Sequence, residues 1–245
     1  MKTLYILEHI ERESACLFEQ IANELGVNTV TVRVYRGDKF PEIKSSDFLL
    51  IMGGPMGLDD ISKKSFLWLR EEISFISKCI DKNIGIIGVC LGAQLLAYTC
   101  GGVITKLKDR TTYLQISEIG WFPIYPTNNH SQNKEFIHLL SQEVLHWHSD
   151  RIILPPNAEL LAFSDLCSEQ FFKISNNLYG LQFHIEIDQP TYEKWLKEDI
   201  DYIASSYGPN AFHILMEQGK THLNSTLNNR VEFIRTLYKE IKMFS

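Results

Sequence analysis

The stretch GIIGVCLGAQLLA, residues 85–97, decides the fold. Its first five residues are small or β-branched and apolar, the composition of a strand buried on both faces. From Leu91 onward it reads as a helix, closed by Gly101 and Gly102 as a stop. A single cysteine, Cys90, stands at the join between Gly88 and Gly92. A strand running straight into a helix is the unit of a parallel sheet, so the neighbouring segments are expected to repeat it.

They do. LYIL (4–7), TVTVRVY (29–35) and DFLLIMGG (47–54) read as strands, the last as a continuous apolar run that ends in two glycines. A helix is expected over 14–25, with Leu17, Phe18, Ile21 and Leu25 on one face. Another is expected over 66–80, where Phe66, Leu69, Ile73, Ile76 and Ile80 recur by threes and fours. This alternation predicts an α/β protein, a mostly parallel sheet flanked by helices. Further along, 103–107, 113–124, 143–148, 159–163, 170–175 and 178–183 read as shorter strands, a β-rich return that is partly antiparallel. Pro190 suits a first helical turn, and Leu227, Val231, Ile234, Tyr238 and Ile241 fall at helical spacing. With no repeat and no low-complexity linker, residues 1–190 are expected to form one domain. Residues 191–245 then form a helical C-terminal extension packed on it.

Composition excludes several classes. The 245 residues are 44% hydrophobic and 22% charged, an ordinary globular profile. The 24 basic residues against 30 acidic ones leave a net charge of −6, and no basic tract favours nucleic acid or an anionic membrane as partner. No apolar run approaches the roughly 18 residues a membrane span needs. The N-terminal MKTLYILEHIERE turns charged too early for a signal segment. The five cysteines, Cys16, Cys79, Cys90, Cys100 and Cys167, are scattered and form no CxxC pair. Reduced thiols in a cytoplasm are expected, with neither a disulfide framework nor a thiolate zinc site.

Cys90 has two readings. In a strand, G-x-C-x-G, helix arrangement, the cysteine can be a nucleophile raised on a strained turn. The helix N-terminus then favours its thiolate, and the next amide points at any oxyanion. It can equally be one of the buried cysteines that are common in tight, glycine-rich turns. Cys16, Cys79 and Cys100 fall within helical patterns and Cys167 in a loop, so these four are read as structural.

A thiolate needs a base, and the base an orienting group. The eight histidines are His9, His130, His138, His146, His148, His184, His213 and His222. Only His184 closes a long apolar strand, LYGLQFH, with a carboxylate two residues on. Residues i and i+2 of extended chain share a side, which puts Glu186 within reach of the imidazole. HWHSD (146–150) offers a rival: His146 and His148 also share a side, as metal ligands can. No third ligand stands at suggestive spacing, so a packed or substrate-lining role is preferred and no metal is expected.

Three separated blocks, MGGPMG (52–57), GVCLGAQLLA (88–97) and LQFHIE (181–186), resemble the triad-type, class I glutamine amidotransferases. The nearest likeness is to stand-alone proteins similar to the amidotransferase domain of GMP synthase, in which blocks like HWHSD (146–150) and LPP (154–156) recur. The resemblance implies a flavodoxin-like amidotransferase fold, no cofactor, and a role for each matching position. Cys90 attacks the carboxamide of glutamine, His184 shuttles protons and Glu186 orients it. The amides of Gly54 and Leu91 form the oxyanion hole. Gln94 helps hold the substrate, and Ser149 and Asp150 meet its amino-acid end. Two positions depart from common patterns: Ile185 stands where proline is frequent, and Gly57 where many relatives carry a polar residue.

The chain shows no SGGxDS-type phosphate loop, so it is not expected to be a whole GMP synthase. Three functions remain open. A glutaminase-like amidotransferase gives its ammonia to water or to a separate synthetase subunit. A γ-glutamyl peptidase uses the same triad on γ-glutamyl amides or conjugates. A non-catalytic binding subunit keeps only the scaffold, although such subunits usually lose triad members. A glutamine-analogue electrophile such as diazo-oxo-norleucine is expected to label Cys90 and no other cysteine. Intact-mass analysis of wild type beside Cys90→Ala checks this, and equal labelling of both would remove Cys90 from the role.

Overall fold

The computed structural model describes residues 2–127, 136 and 143–244. Among the described residues twelve strands run in chain order: β1 (Thr3–Glu8), β2 (Asn28–Arg33), β3 (Phe48–Ile51), β4 (Gly85–Val89), β5 (Val103–Lys106), β6 (Glu118–Pro123), β7 (Tyr125–Pro126), β8 (Glu143–His148), β9 (Asp150–Ile153), β10 (Ala158–Phe163), β11 (Phe171–Ile174) and β12 (Leu178–Leu181). The α-helices are α1 (Leu17–Glu24), α2 (Trp68–Asp81), α3 (Leu91–Thr99), α4 (Gln189–Glu198), α5 (Ile200–Tyr207), α6 (Ala211–Ser225) and α7 (Leu227–Glu240).

An eight-stranded sheet has the order β2-β1-β3-β4-β12-β11-β10-β7. In that order the strands from β2 to β12 are parallel, and β12, β11, β10 and β7 pair antiparallel. The apolar runs of β1, β3 and β4 divide by the period of two that extended chain imposes. Leu4, Ile6, Phe48, Leu50, Ile87 and Val89 face one layer, which is made with α1 and α7. Leu7, Leu49, Ile51 and Ile86 face the other, made with α2 and α3. This is why these strands read as unbroken hydrophobic segments rather than alternating ones. Two small antiparallel pairs, β5·β9 and β6·β8, flank the sheet. Helices α4, α5 and α6 pack on β6 and β8 in a third core that includes Trp121, Trp147, Tyr192, Trp195 and Leu215.

Some boundaries differ from the sequence expectation. The helix expected from residue 14 begins at Leu17; Cys16 precedes it with φ of 40°. Cys16 is therefore not a helical cysteine. The strand expected over 113–124 covers only Glu118–Pro123. Residues 109–114 instead form a tight turn, in which Asp109 Oδ1 accepts from the Thr111 and Thr112 amides and Tyr113 has φ of 58°. An aspartate that bonds the amides two and three residues on competes with strand pairing. The strand expected to close on His184 ends at Leu181, although His184 still makes one antiparallel bridge with Leu145.

The C-terminal helices share the cores of the sheet. Phe233, Ile234, Leu237 and Tyr238 of α7 lie in the same cluster as Phe18 and Tyr179. Tyr238 Oη donates to the Phe18 carbonyl at 2.7 Å. Buried Arg230, also on α7, donates through Nη1 to the carbonyls of Ile185 (3.0 Å) and Ile187 (2.7 Å), and through Nη2 to Leu223 (2.7 Å). Burial pulls its pKa down to about 10, against the raising effect of Glu186 and Asp188, and it stays charged at neutral pH. The guanidinium thus clamps the chain on both sides of Glu186. Hydrogen bonds to a charged donor contribute roughly 1.5–3 kcal/mol each. Arg230→Met is expected to destabilise the fold by about 3 kcal/mol or more, read as a lowered urea midpoint at unchanged slope.

Candidate active site

Four adjacent parallel strands, β1, β3, β4 and β12, deliver their carboxyl ends to one edge of the sheet, where open α/β sheets place their ligand sites. From those ends emerge His9–Glu13, Gly53–Gly54, Cys90 and Gln182–Glu186. Cys90 has φ of 50° and ψ of −107°, a conformation that non-glycine residues adopt only when the surroundings hold them there. Its amide donates to the Leu181 carbonyl (2.7 Å), and that of Gly92 to Met52 (3.1 Å), so the turn is held from both neighbouring strands. A Cβ at Gly92 would run into the backbone carbonyl of Ile51, and one at Gly88 into that of Gly92. The two glycines let strand and helix close on each other.

The structure brings the three predicted chemical residues together. His184 Nδ1 pairs with Glu186 Oε1 at 2.7 Å, and the Cys90 thiol lies close enough to the imidazole to raise its pKa. Burial alone would lower the pKa of His184. The Glu186 carboxylate and Cys90 outweigh it and raise the pKa well above the usual value. Glu186 spends its second oxygen on the amide of Ile185 at 2.9 Å, a bond that proline at this position has no N–H to supply. The departure at Ile185 therefore adds a donor that fixes the carboxylate. The edge of the imidazole packs against Trp195 of α4 at 4.8 Å between ring centroids, and Trp195 Nε1 donates to the Arg12 carbonyl.

Gly54, Gln94, Ser149 and Asp150 line the cavity over Cys90 with Arg12, Glu13, Pro55, Met56, Trp147, His148, Asp199 and Tyr202. Leu91 opens α3, and its N–H has no carbonyl one turn earlier to satisfy it. Gln94 Nε2 donates to Gln182 Oε1 (3.3 Å), and Gln182 Nε2 reaches Cys90 Sγ (3.6 Å). Asp150 is tied to Lys106 at 2.8 Å.

Sequence reasoning missed several residues. His9 Nδ1 donates to the Gly53 carbonyl (2.9 Å) and Nε2 pairs with buried Glu72 (2.9 Å). Both contacts suit an imidazole that donates from each nitrogen. Its pKa is raised because Glu72 and the Gly53 carbonyl outweigh burial. In a trans peptide the Gly53 carbonyl and the Gly54 N–H point opposite ways, so His9 sets the direction of that N–H. Asp199 and Tyr202 come from the C-terminal helices, far from any recognised block. Asp199 takes Arg12 at 2.7 Å and Trp147 Nε1 at 2.9 Å. Glu13 is buried beside His184. A signal for it existed in the sequence, a charged stretch directly after a buried strand.

The other cysteines have different settings. Burial pushes the Cys79 and Cys167 thiols up to about 12. Cys16 turns almost as Cys90 does, with φ of 40° and ψ of −112°, yet its thiol bonds the hydroxyls of Ser14 (3.3 Å) and Thr191 (3.4 Å). Buried Glu118, His148 and Cys167 bring their ligand-type atoms within 4.8 Å of one another, a convergence the spacing of HWHSD did not show. There Glu118 Oε2 accepts from Gln170 Nε2 (2.7 Å) and pairs with His148 Nε2 (3.1 Å), while His148 Nδ1 donates to the Asp150 carbonyl (2.9 Å). His146 lies 3.5 Å from the same carboxylate, and burial holds its pKa down to about 4. This network fastens β8 and Asp150 beneath the cavity.

The chain matches the family description "Glutamine amidotransferase class-I" over residues 15–201 and belongs to that family. It is 27% identical over 208 residues to the glutamine amidotransferase-like protein YfeJ of Salmonella typhimurium, covering 84% of each chain. It is 29% identical over 194 residues to a glutamine-hydrolyzing GMP synthase subunit of Thermoplasma acidophilum, covering 77% of this chain and 86% of that one. A crystal structure of a glutamine amidotransferase from Thermotoga maritima superposes with a TM-score of 0.80 at 25% identity, over 96% of this chain and 97% of that one. Among the described residues no helix is long and apolar enough to cross a membrane.

Glu13 leaves a thermodynamic signature. Burial raises its pKa from 4.5 to about 6, with His184 and Arg12 only partly opposing the shift. A carboxyl whose folded-state pKa is raised supports folding fully below pH 4.5, and that support is lost as pH rises through about 6. The shift corresponds to about 2 kcal/mol. Glu13→Gln is therefore expected to be more stable than wild type by up to about 2 kcal/mol at pH 7.5 and equal to it at pH 4. Urea titrations at the two pH values check this.

Proposed function

We propose that the chain hydrolyses the side-chain carboxamide of glutamine through a γ-glutamyl thioester on Cys90. The observation that carries this reading is the continuous Cys90–His184–Glu186 relay, with 2.7 Å between imidazole and carboxylate, at the floor of a cavity. The Cys90 sulfur attacks the carboxamide carbon, and the amides of Gly54 and Leu91 receive the developing oxyanion. His184, held through Nδ1 by Glu186, gives the proton at Nε2 to the departing nitrogen. The C–N bond breaks and ammonia leaves. Water then enters, His184 takes its proton, and glutamate is released with Cys90 restored.

Membership of the amidotransferase family and the relatives named as glutamine-hydrolyzing GMP synthase subunits support glutamine as donor. That those relatives are named as subunits also supports a second part of the proposal, that a separate synthetase subunit takes the ammonia. Ser149 and Asp150 face the amino-acid end of the substrate, and Gln94 holds its place through Gln182.

Purified protein is expected to release ammonia from L-glutamine, and Cys90→Ala or His184→Ala to lower that rate by about 10³-fold or more. Ammonia is read by a coupled dehydrogenase assay, and amine release from γ-glutamyl peptides is measured in parallel. Release of amines without ammonia would replace this reading with a γ-glutamyl peptidase. Activity that survives in Cys90→Ala would overturn both.

A further inference from the structure

The relay of Cys90, His184 and Glu186 leaves one buried charged group beside the reacting atoms without work. Glu13 sits in the loop between β1 and α1 and is 6% exposed. A Cβ built on Gly53 would meet three groups at one point: Glu13 Oε2, His184 Cε1 at 3.1 Å and Cys90 Cβ at 3.5 Å. The carboxylate therefore shares a corner of the cavity with the imidazole edge and the nucleophile. Glycine at 53 leaves room for that carboxylate.

The cavity holds three carboxylates, and two are committed. Asp150 is paired with Lys106, and Asp199 holds both Arg12 and Trp147 Nε1. The cation nearest Glu13 is Arg12 at 3.9 Å, beyond hydrogen-bond distance and already engaged with Asp199 at 2.7 Å. Among the described residues Glu13 is thus the carboxylate in the cavity that no donor occupies.

A leaving carboxamide nitrogen presents the complementary need. Its N–H bonds are taken from water into a cavity whose other facing donors, the Gly54 and Leu91 amides, serve the oxygen. Buried N–H groups without an acceptor are costly. The nitrogen must also lie near His184, which protonates it, and of the carboxylates that line the cavity Glu13 is the one beside His184.

We propose that the Glu13 carboxylate accepts the N–H bonds of the departing nitrogen and so restricts this site to γ-glutamyl donors with N–H on the scissile atom. The assignment rests on the hydrolase reading given above. During collapse of the tetrahedral adduct the C–N electron pair goes to nitrogen, the proton comes from His184 Nε2, and Glu13 gains no proton. It holds the nitrogen while the bond breaks and favours the growing positive character of the departing amine. An ester with the same acyl group leaves through an oxygen that has no N–H to offer.

L-glutamine and L-glutamic acid γ-methyl ester form the same thioester, so their kcat/KM values compare departure of nitrogen and oxygen at a constant acyl group. Glu13→Ala is expected to lower kcat/KM for glutamine by roughly 10- to 100-fold more than for the ester, and Glu13→Asp to restore part of the difference. The wild-type amide-to-ester ratio is expected to fall as pH is lowered through about 6, where burial places the carboxyl, and to stay flat in Glu13→Gln. The charged groups facing Glu13 are Arg12 on its own loop, His184 and Glu186 after β12, Asp199 between α4 and α5, and the Cys90 thiol. They act on both substrates, and the ratio removes their contribution. Equal losses for amide and ester, or no loss, would reduce Glu13 to a structural residue and overturn the assignment. A wild type that turns over neither substrate would overturn the hydrolase reading and this assignment with it.

Discussion

Two backbone hydrogen bonds hold the site in place: Cys90 N–H to the Leu181 carbonyl and Gly92 N–H to the Met52 carbonyl. They continue the bonding of β4 with β12 and β3 past the ends of the strands. The chain is thereby forced to reverse into α3 while still gripped on both sides. The positive φ of Cys90 is the result of that grip, and neighbouring backbone supplies the energy that keeps it. Residues emerging from β1, β3 and β12 then meet the thiol because their strands end level with it. Parallel register converts four separate loops into one cavity.

Cys16 shows what the turn cannot do. It has nearly the same backbone angles as Cys90 and also precedes a helix. Its thiol is surrounded by two hydroxyls and its pKa is raised, first by burial. No imidazole is bonded to it. A strained turn at a helix N-terminus therefore presents a thiol, and the chemistry of that thiol depends on what the neighbouring element places against it. At Cys90 this is a histidine whose charged form is favoured by an adjacent carboxylate. At Cys16 it is Thr191.

Local pattern makes the parallel half of the fold legible. Buried strands with apolar residues on both faces and amphipathic helices carry periodicities that survive in the sequence, and Cys90, His184 and Glu186 stand beside them. The turn at 109–114 is not legible in the same way, because Asp109 redirects the backbone through side-chain bonds that hydrophobic pattern does not record. His9 with Glu72, Glu13, and Asp199 with Tyr202 are hidden for another reason. Each owes its place to residues far apart in the chain, 63 positions in His9–Glu72 and 187 in Arg12–Asp199, and a lone charged residue carries no periodicity that announces burial. Glu118, His148 and Cys167 are concealed in the same way, on three elements that meet only after folding.

The bracing of the His184–Glu186 segment by Arg230 has a consequence for the order of events in synthesis. Cys90 and His184 lie well before α7 in the chain, yet the carbonyls flanking Glu186 are fixed only when the guanidinium arrives. Trp195, which seats the imidazole, also follows the triad. A growing chain that has already extruded its sheet lacks the clamp that holds Glu186 against His184. Order in this segment is thus deferred until α7 is made, and a partly made molecule carries the Cys90 turn without the braced His184–Glu186 pair beside it.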